Sequence, residues 1–371
     1  MIYLDNASNV KSKKEVLDLF IKIESMGLSN ANSLHQGGKE AFDIVSDYQN
    51  KIYELLNISK DEYDIIHTSS GTESNNLAIK GYANSHSGFG RHILVSPLEH
   101  SSVNATLGYL KDNNFEIEFI PVNNKGQIDI AALNSLIRKD TILVIINLVD
   151  SEAGFIQDYK EISCLCHKKG VTLFMDIVQG FGKFDINYHD LDMFSISPHK
   201  FGGLLGTGLL IKRKDIILTP LIHGGKSLNI YRSGSIPISL IASTYKAIEI
   251  ALSNRENNYK NISNLRDYLF NYLKNNKNIL INSPDNNPYI INLSINGYKG
   301  NEVVNYLSDK GIYVSQKAAC NITSTPSKVI MSVYNDKKRA YSSFRISLNE
   351  DNTKEEIDEL IRHLEELTNG K

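Results

Sequence analysis

Four short polar stretches of this chain combine reactive residue types with a position at the end of an apolar run. Thr68-Ser69-Ser70-Gly71-Thr72-Glu73 sets small residues and a hydroxyl where a strand gives way to a helix. Backbone N–H groups at such a turn can approach an anion, and the helix dipole favours a phosphate there. The same spacing also reads as a Ser N-cap with a nearby Glu. Asp176-Ile177-Val178-Gln179 follows the run 171–175. A strand-end Asp can hold a protonated ring nitrogen through a charge-assisted hydrogen bond, or it can cap the next turn. Ser195-Ile196-Ser197-Pro198-His199-Lys200-Phe201-Gly202-Gly203 puts a Lys between a short strand and a Gly pair, a placement suited to Schiff-base chemistry. Most single lysines are solvated surface charges, so it is the company of His199, Ser197 and the glycines that distinguishes this one. The fourth stretch is Glu99-His100, after the run 92–95.

The pattern between these stretches says what must position them. β-prone runs at 65–68, 92–95, 115–119, 142–148, 171–175, 193–196 and 208–211 alternate with helical patterns at 73–83, 102–112, 130–138 and 159–168. Short strands apolar on both faces and separated by helices predict a mostly parallel sheet wrapped by helices, an α/β fold. In such sheets the loops after the strands' carboxyl ends carry the site. Beyond about residue 255 the character changes, with strands at 289–295 and 342–347 and helices at 262–274, 300–310 and 354–367. The expectation is a large α/β domain over 15–255 and a smaller α+β domain formed by 1–14 with 256–371, joined by a helix over about 237–255.

Composition narrows the class. A chain of 371 residues, 41% apolar and 22% charged, is long enough for one large domain or two with a sizeable core. Forty basic against 42 acidic side chains, a net charge of −2, give no electrostatic ground for nucleic acid or an anionic membrane as partner. Three cysteines cannot form a disulfide scaffold. The start lacks a basic segment followed by a long apolar one, and the apolar run 142–149 falls short of the ~20 residues of a membrane span. A cytoplasmic enzyme is expected.

Taken jointly, an anion cradle, a partner for a pyridinium nitrogen, a ring neighbour and a Schiff-base lysine are the set that pyridoxal 5′-phosphate requires. The sequence resembles the NifS-like cysteine desulfurases, class V aminotransferases of fold type I, over residues 3 to about 365. Tyr3-Leu4-Asp5-Asn6-Ala7 is similar to that family's opening, and Asn30 with Ser33 and His35 to its Asn-Pro-Ser-Ser-x-His stretch, implying Asn30 at the substrate. Ser70-Gly71-Thr72-Glu73-Ser74-Asn75-Asn76 resembles Gly-Gly-Thr-Glu-Ser-Asn-Asn, implying Gly71 and Thr72 at the phosphate. His100 matches the histidine that stacks on the ring and moves protons. Asp176 and Gln179 match the residues on the pyridine nitrogen and near the phenolic oxygen. Ser197-x-His199-Lys200 matches Ser-x-His-Lys, with Ser197 and His199 towards phosphate and Lys200 bonding the cofactor. Ser235, in Arg232-Ser233-Gly234-Ser235, keeps the hydroxyl that a partner subunit contributes, which implies a homodimer.

By the same resemblance Cys320, in Val314-Ser315-Gln316-Lys317-Ala318-Ala319-Cys320, takes sulfur from L-cysteine, and Arg345 clamps the substrate carboxylate. The implied product is L-alanine with a persulfide on Cys320, passed to a sulfur-accepting protein such as an iron–sulfur scaffold or a tRNA-thiolation enzyme. A lyase or aminotransferase acting on another amino acid such as selenocysteine, and a non-catalytic relay or scaffold, are the alternatives. Cys164 and Cys166 fall in a helical stretch without a second ligand pair; packing rather than zinc is expected, and no metal site. Several positions depart from the family. Asp150-Ser151 stands for Asn-Asn, with Ser151 near the cofactor's phenolic oxygen. Leu204-Leu205 stands for Pro-Lys, Ser227-Leu228 for Gln/His-Glu, and Gln316-Lys317-Ala318 for Ser-Gly-Ser.

Overall fold

Strand and helix boundaries follow the apolar periodicities closely. In chain order the elements are β1 (Ile2–Tyr3), α1 (Lys14–Glu24), α2 (Gln36–Leu55), β2 (Tyr63–Thr68), α3 (Gly71–His86), β3 (His92–Val95), α4 (Ser101–Asp112) and β4 (Glu116–Phe119). There follow α5 (Ile130–Leu136), β5 (Thr141–Asn147), α6 (Tyr159–Lys169), β6 (Thr172–Asp176), β7 (Met193–Ile196), β8 (Gly208–Arg213) and α7 (Ile238–Leu273). The last part holds β9 (Ile279–Ile281), β10 (Ile290–Ile295), α8 (Gly300–Asp309), β11 (Ile312–Tyr313), α9 (Lys328–Tyr334), α10 (Lys337–Ser342), β12 (Ser343–Ser347) and α11 (Lys354–Asn369). The structure is a computed structural model and describes residues 1–225, 227–316 and 325–369.

Seven strands form one sheet in the order β2-β8-β7-β6-β5-β3-β4. Only β8 runs against its neighbours, pairing antiparallel with β2 and β7; the other pairs are parallel. All seven residues of β5 are buried, as expected of a central strand covered on both faces. Because β2, β3, β5, β6 and β7 share one direction, their carboxyl ends open onto the same edge of the sheet. Asn147, Asp176 and Ser195 are direct neighbours across β5, β6 and β7 at that edge.

A three-stranded antiparallel sheet, β12-β10-β9, lies in the C-terminal part, and β1 pairs in parallel with β11. The first residues of the chain are thereby stitched to its last third: Asp5 bridges Ser347, and Ser347 N donates to Leu4 O at 2.7 Å. In α11 the buried residues Ile357, Leu360, Leu364 and Leu367 recur at helical spacing and form its inner stripe.

Two expectations change. The connector at 237–255 and the helix at 262–274 are one 36-residue helix, α7. Between them lie Glu256-Asn257-Asn258-Tyr259-Lys260-Asn261, in which three Asn and a Tyr are weaker helix formers but no Pro or Gly breaks the pattern, and the buried face resumes with Ile262, Leu269, Phe270 and Leu273. Packing therefore helps carry the helix across a stretch of lowered propensity. Only one of the two helix cysteines packs: Cys166 is buried, whereas Cys164 is exposed. They stand two residues apart on α6, so they point to opposite sides.

Candidate active site

Five of the loops at the carboxyl edge of the sheet line one cavity of about 270 Å³, together with Ala7, Ser8 and Arg345. The first loop opens α3. Ser70 caps it, its Oγ accepting from Glu73 N at 3.1 Å, while a Glu73 carboxylate oxygen accepts from Ser69 N at 2.6 Å. The amides of Gly71 and Thr72 begin the helix, where N–H groups lack intrahelical acceptors. A Cβ on Gly71 would lie 3.2 Å from Ser197 Cβ and 3.3 Å from Val178 Cγ2, so any larger residue here would press on the neighbouring loops. The Ser70 cap is present, and the expected anion cradle would occupy the same turn. Arg232 Nε reaches Glu73 at 3.1 Å and ties the 231–235 stretch to it.

Asp176 ends β6. Its Oδ2 accepts from Asn75 Nδ2 at 2.8 Å and its Oδ1 from Val178 N at 3.0 Å. Asn75 is itself fixed, since its Oδ1 accepts from Ser195 Oγ at 2.6 Å and its Nδ2 also reaches Ser102 Oγ at 2.9 Å. Ser102 Oγ in turn lies 2.9 Å from His100 Nδ1. A chain of short polar contacts thus holds the carboxylate and the imidazole in one arrangement. Burial lowers the pKa of His100, with Asp176 opposing, and burial takes His199 down to about 4. Both rings are neutral near pH 7. His199 Nδ1 lies 3.0 Å from Ser197 Oγ.

Lys200 closes a 3₁₀ turn, Pro198–Lys200, that follows β7. Its Nζ donates to the carbonyls of Ala7 at 2.9 Å and Ser8 at 2.6 Å. Arg345, in β12, is 1% exposed and is held from several sides. It donates to Ser151 O at 2.6 Å, Asp5 Oδ1 at 2.6 Å and Ser8 Oγ at 2.7 Å. Ser151 therefore meets the site through its backbone carbonyl as well as by lining the cavity. Beside it the Asp150 carboxylate accepts three backbone amides, Glu152 N, Ala153 N and Phe155 N; burial nonetheless pushes its pKa up to about 6. Asp150 organises this loop, which gives the aspartate at 150 a structural reason; nothing in the structure explains the serine at 151.

The cavity unites Gly71, Thr72, His100, Ser151, Asp176, Gln179, Ser197, His199, Lys200 and Arg345. Asn30 and Ser235 do not line it; they share a separate surface depression with Ser29 and Ile236. Cys320 lies outside the described residues. Among the described residues, no group of three or more His, Cys, Asp or Glu side chains is placed to hold a metal ion. Asn75, Asn147, Asp5 and Glu99 take part in the site without having been given a role from the sequence. Asn75, Asp5 and Glu99 stood inside quoted stretches, whereas Asn147 has no signal beyond its place at a strand end.

Glu99 sits behind the cavity wall, one oxygen accepting from Asn147 N and the other buried without a partner. Burial first, then the nearby carboxylates Asp176 and Asp150, hold its pKa well above the usual carboxylate range. A carboxyl with a raised folded-state pKa loses its stabilising contribution as pH climbs from the unfolded value through the folded one. Glu99→Gln keeps an acceptor for Asn147 N and cannot ionise. Its melting temperature is expected to exceed wild type by about 2–4 °C near pH 9 and to match it at about pH 4, below the unfolded-state value. Parallel melting curves at both ends of the range would disprove this origin of the pH dependence.

Such a site on such a sheet is that of a class of cofactor-dependent enzymes, and the chain belongs to the class-V aminotransferases, whose family pattern matches residues 2–360. It is 34% identical to the cysteine desulfurase IscS of Dictyoglomus turgidum over 372 residues, covering 99% of this chain and 94% of that protein. It is 35% identical to the IscS of Buchnera aphidicola subsp. Acyrthosiphon pisum, covering 96% and 90%. Among solved structures, a NifS-like protein superposes with a TM-score of 0.91 at 30% identity, covering both chains completely.

Enzymes of this family depend on pyridoxal 5′-phosphate, and the residues present fit it. Two cavity-lining side chains keep buried polar atoms without partners, Asn147 Oδ1 and Arg345 Nε. Such atoms are costly unless a ligand supplies the missing hydrogen bond. The close-packed Gly71 turn offers amides for a phosphate, the held Asp176 an acceptor for a ring N–H, and Lys200 an amine.

Proposed function

We propose that this protein is a pyridoxal-phosphate-dependent cysteine desulfurase, converting L-cysteine to L-alanine and leaving the sulfur as a persulfide on Cys320. The observation that carries the reading is the convergence of Lys200, Asp176, His100 and Arg345 on one cavity. The likeness to proteins named cysteine desulfurase, and to the solved structure described as SspA in complex with cysteine (TM-score 0.81, 28% identity, 94% of this chain and 99% of that one), supports it.

Gly71 and Thr72, with Ser197 and His199, hold the cofactor's phosphate, Asp176 its ring nitrogen, and Gln179 and Ser151 its phenolic edge. When bound, the cofactor supplies an electron sink for carbanion chemistry. Arg345 orients the substrate through its carboxylate, with a guanidinium already aimed by Asp5, Ser8 and the Ser151 carbonyl. Lys200 and the neutral His100 move protons at the substrate's carbons. The thiolate of Cys320 attacks the substrate's sulfur; an S–S bond forms as the C–S bond breaks, and the electron pair left on carbon takes up a proton to give alanine.

We further infer a large domain over 15–255 and a small one over 1–14 and 256–371, a cytoplasmic location, and a homodimer with shared sites. Ser235 and Asn30, outside the cavity of their own chain, then meet the partner's. The sulfur passes to an acceptor protein, an iron–sulfur scaffold or a tRNA-thiolation enzyme. The test is direct: purified protein with pyridoxal phosphate is expected to show an absorbance band near the visible edge that shifts on adding L-cysteine, with alanine released. No band, or a band without alanine, would refute the reading. A selenocysteine-specific lyase would show the second of these results, and a scaffold without catalysis the first or the second.

A further inference from the structure

Beyond the four stretches that carry the chemistry, the turn after Asp176 contains a second lysine close to the site. Gly180 N and Phe181 N both bond back to Ile177 O, and Lys183 N to Gly180 O at 3.1 Å, so the chain coils on itself from 177 to 184. Lys183 is thereby folded over Gln179, four residues earlier, and its Nζ donates to Gln179 Oε1 at 3.1 Å. The other end of the same amide, Nε2, donates to Ala7 O at 2.8 Å. Ala7 O also accepts from Lys200 Nζ at 2.9 Å. Gln179 and Lys200 line the main cavity, while Lys200 and Lys183 line a second one of about 40 Å³. Lys200 is the wall between them.

The Lys183 amine donates and so faces the amide oxygen, and of the two ends of the amide only the nitrogen can donate to the Ala7 carbonyl, so the orientation of Gln179 is fixed from both ends. What it has left for the main cavity is its second N–H. Gln179 sits beside the amine that bonds the cofactor's aldehyde carbon, because the two share Ala7 O. The acceptor adjoining that carbon on the ring is the phenolic oxygen. We propose that Lys183 is a positioning residue that acts through Gln179: it locks the amide with its donor towards the cofactor and, when charged, strengthens that donor. The inference rests on the reading of the cavity as a pyridoxal-phosphate site.

The surroundings give the device a pH dependence. Enclosure of the Lys183 ammonium, reinforced by the positive charges of Lys200 and Arg345 and opposed by Glu350, brings its pKa down to about 7. Facing it are the ring of Tyr289, 5.5 Å away, and the pair Lys13–Glu350, itself closed at 2.7 Å, with Asp351 beyond. Glu350 is occupied by Lys13, which leaves Gln179 as the polar group directly bonded to Lys183. As pH rises through about 7, Lys183 becomes neutral; the hydrogen bond persists and loses its charge assistance.

The test uses wild type, Lys183→Met, Lys183→Gln, Gln179→Ala and the Lys183→Met/Gln179→Ala double variant. Pyridoxal phosphate is titrated into each apoprotein, and the absorbance of the bound cofactor is followed against pH. Lys183→Met is expected to bind pyridoxal phosphate roughly tenfold more weakly and to lose a spectral step near pH 7 that wild type shows. Lys183→Gln, which can still donate to Oε1, is expected to regain most of the affinity without the step. In the Gln179→Ala background, Lys183→Met should change affinity by about twofold or less. Equal affinity and equal pH profiles in wild type and Lys183→Met would overturn the proposal, as would a full tenfold loss in the Gln179→Ala background. If Lys183→Met does not fold, the Lys183→Gln profile decides alone: a step near pH 7 retained there overturns it. A wild type that takes up no pyridoxal phosphate refutes the reading of the cavity, and the inference with it; a normally loaded wild type beside an unaltered variant refutes the inference alone.

Discussion

Lys200→Ala is expected to abolish turnover, a loss of more than about 10³-fold, while the protein still binds pyridoxal phosphate. On the proposed mechanism the amine has two tasks, bonding the cofactor and moving a proton at the substrate, and no described neighbour can take over both. His100 is neutral and already engaged with Ser102, and Lys183 is turned to Gln179 on the far side of Lys200. The backbone sets the placement: Lys200 ends a 3₁₀ turn begun by Pro198, and its ammonium is steered by the carbonyls of Ala7 and Ser8. Those carbonyls belong to the N-terminal segment, held in turn by Ser347, whose Oγ accepts from Ala7 N at 2.9 Å. The cofactor should remain, because Gly71, Thr72 and Asp176 are untouched by the substitution. Borohydride treatment followed by mass analysis separates the two tasks: wild type should retain covalently fixed cofactor and Lys200→Ala none. Residual turnover above about a tenth of wild type would remove Lys200 from the mechanism.

The strands that carry the site were legible because they are buried on both faces and announce themselves as β-branched runs, as β5 does with Thr141-Ile142-Leu143-Val144-Ile145-Ile146. The loops were legible because each concentrates residue types that a bare turn does not need, and the family resemblance then assigned them roles. What stayed hidden depends on distant parts of the chain meeting. Nothing near Asp5 in sequence says that it will grip Arg345, 340 positions away. Nothing near Asn147 says that its oxygen will face a cavity unpaired. Asp150 read only as a departure from the family's Asn, and nothing local says that its carboxylate gathers three amides and builds the turn that carries Ser151. The breadth of α7 was hidden for another reason: an Asn-rich stretch lowers local helix preference, and the recurrence of buried residues after it helps hold the helix together.

Cys320→Ala is expected to load cofactor and bind L-cysteine like wild type, yet to form no persulfide and to release no sulfide at the normal rate. The two other thiols cannot substitute. Cys164 is exposed on α6 and Cys166 is packed in the core, where burial pushes its pKa up to about 12; neither lines the cavity. The described residues on either side of the 317–324 stretch are tied to the site. Ser315 and Arg345 exchange backbone hydrogen bonds of 3.0 and 2.6 Å, and Ser327 Oγ donates to the Glu152 carboxylate at 2.6 Å, one residue from Ser151. Ser315 and Ser327 are thus bonded to Arg345 itself and to the neighbour of Ser151. The proposed attack of the Cys320 thiolate on sulfur forms one S–S bond, breaks one C–S bond and, with a proton taken up at carbon, gives one alanine, so activity should track that thiol alone. Mass analysis after a single addition of L-cysteine should find one added sulfur atom on wild type, removable by a reductant, and none on Cys320→Ala. An added sulfur on the variant, or undiminished alanine release from it, would assign the acceptor role to a different group.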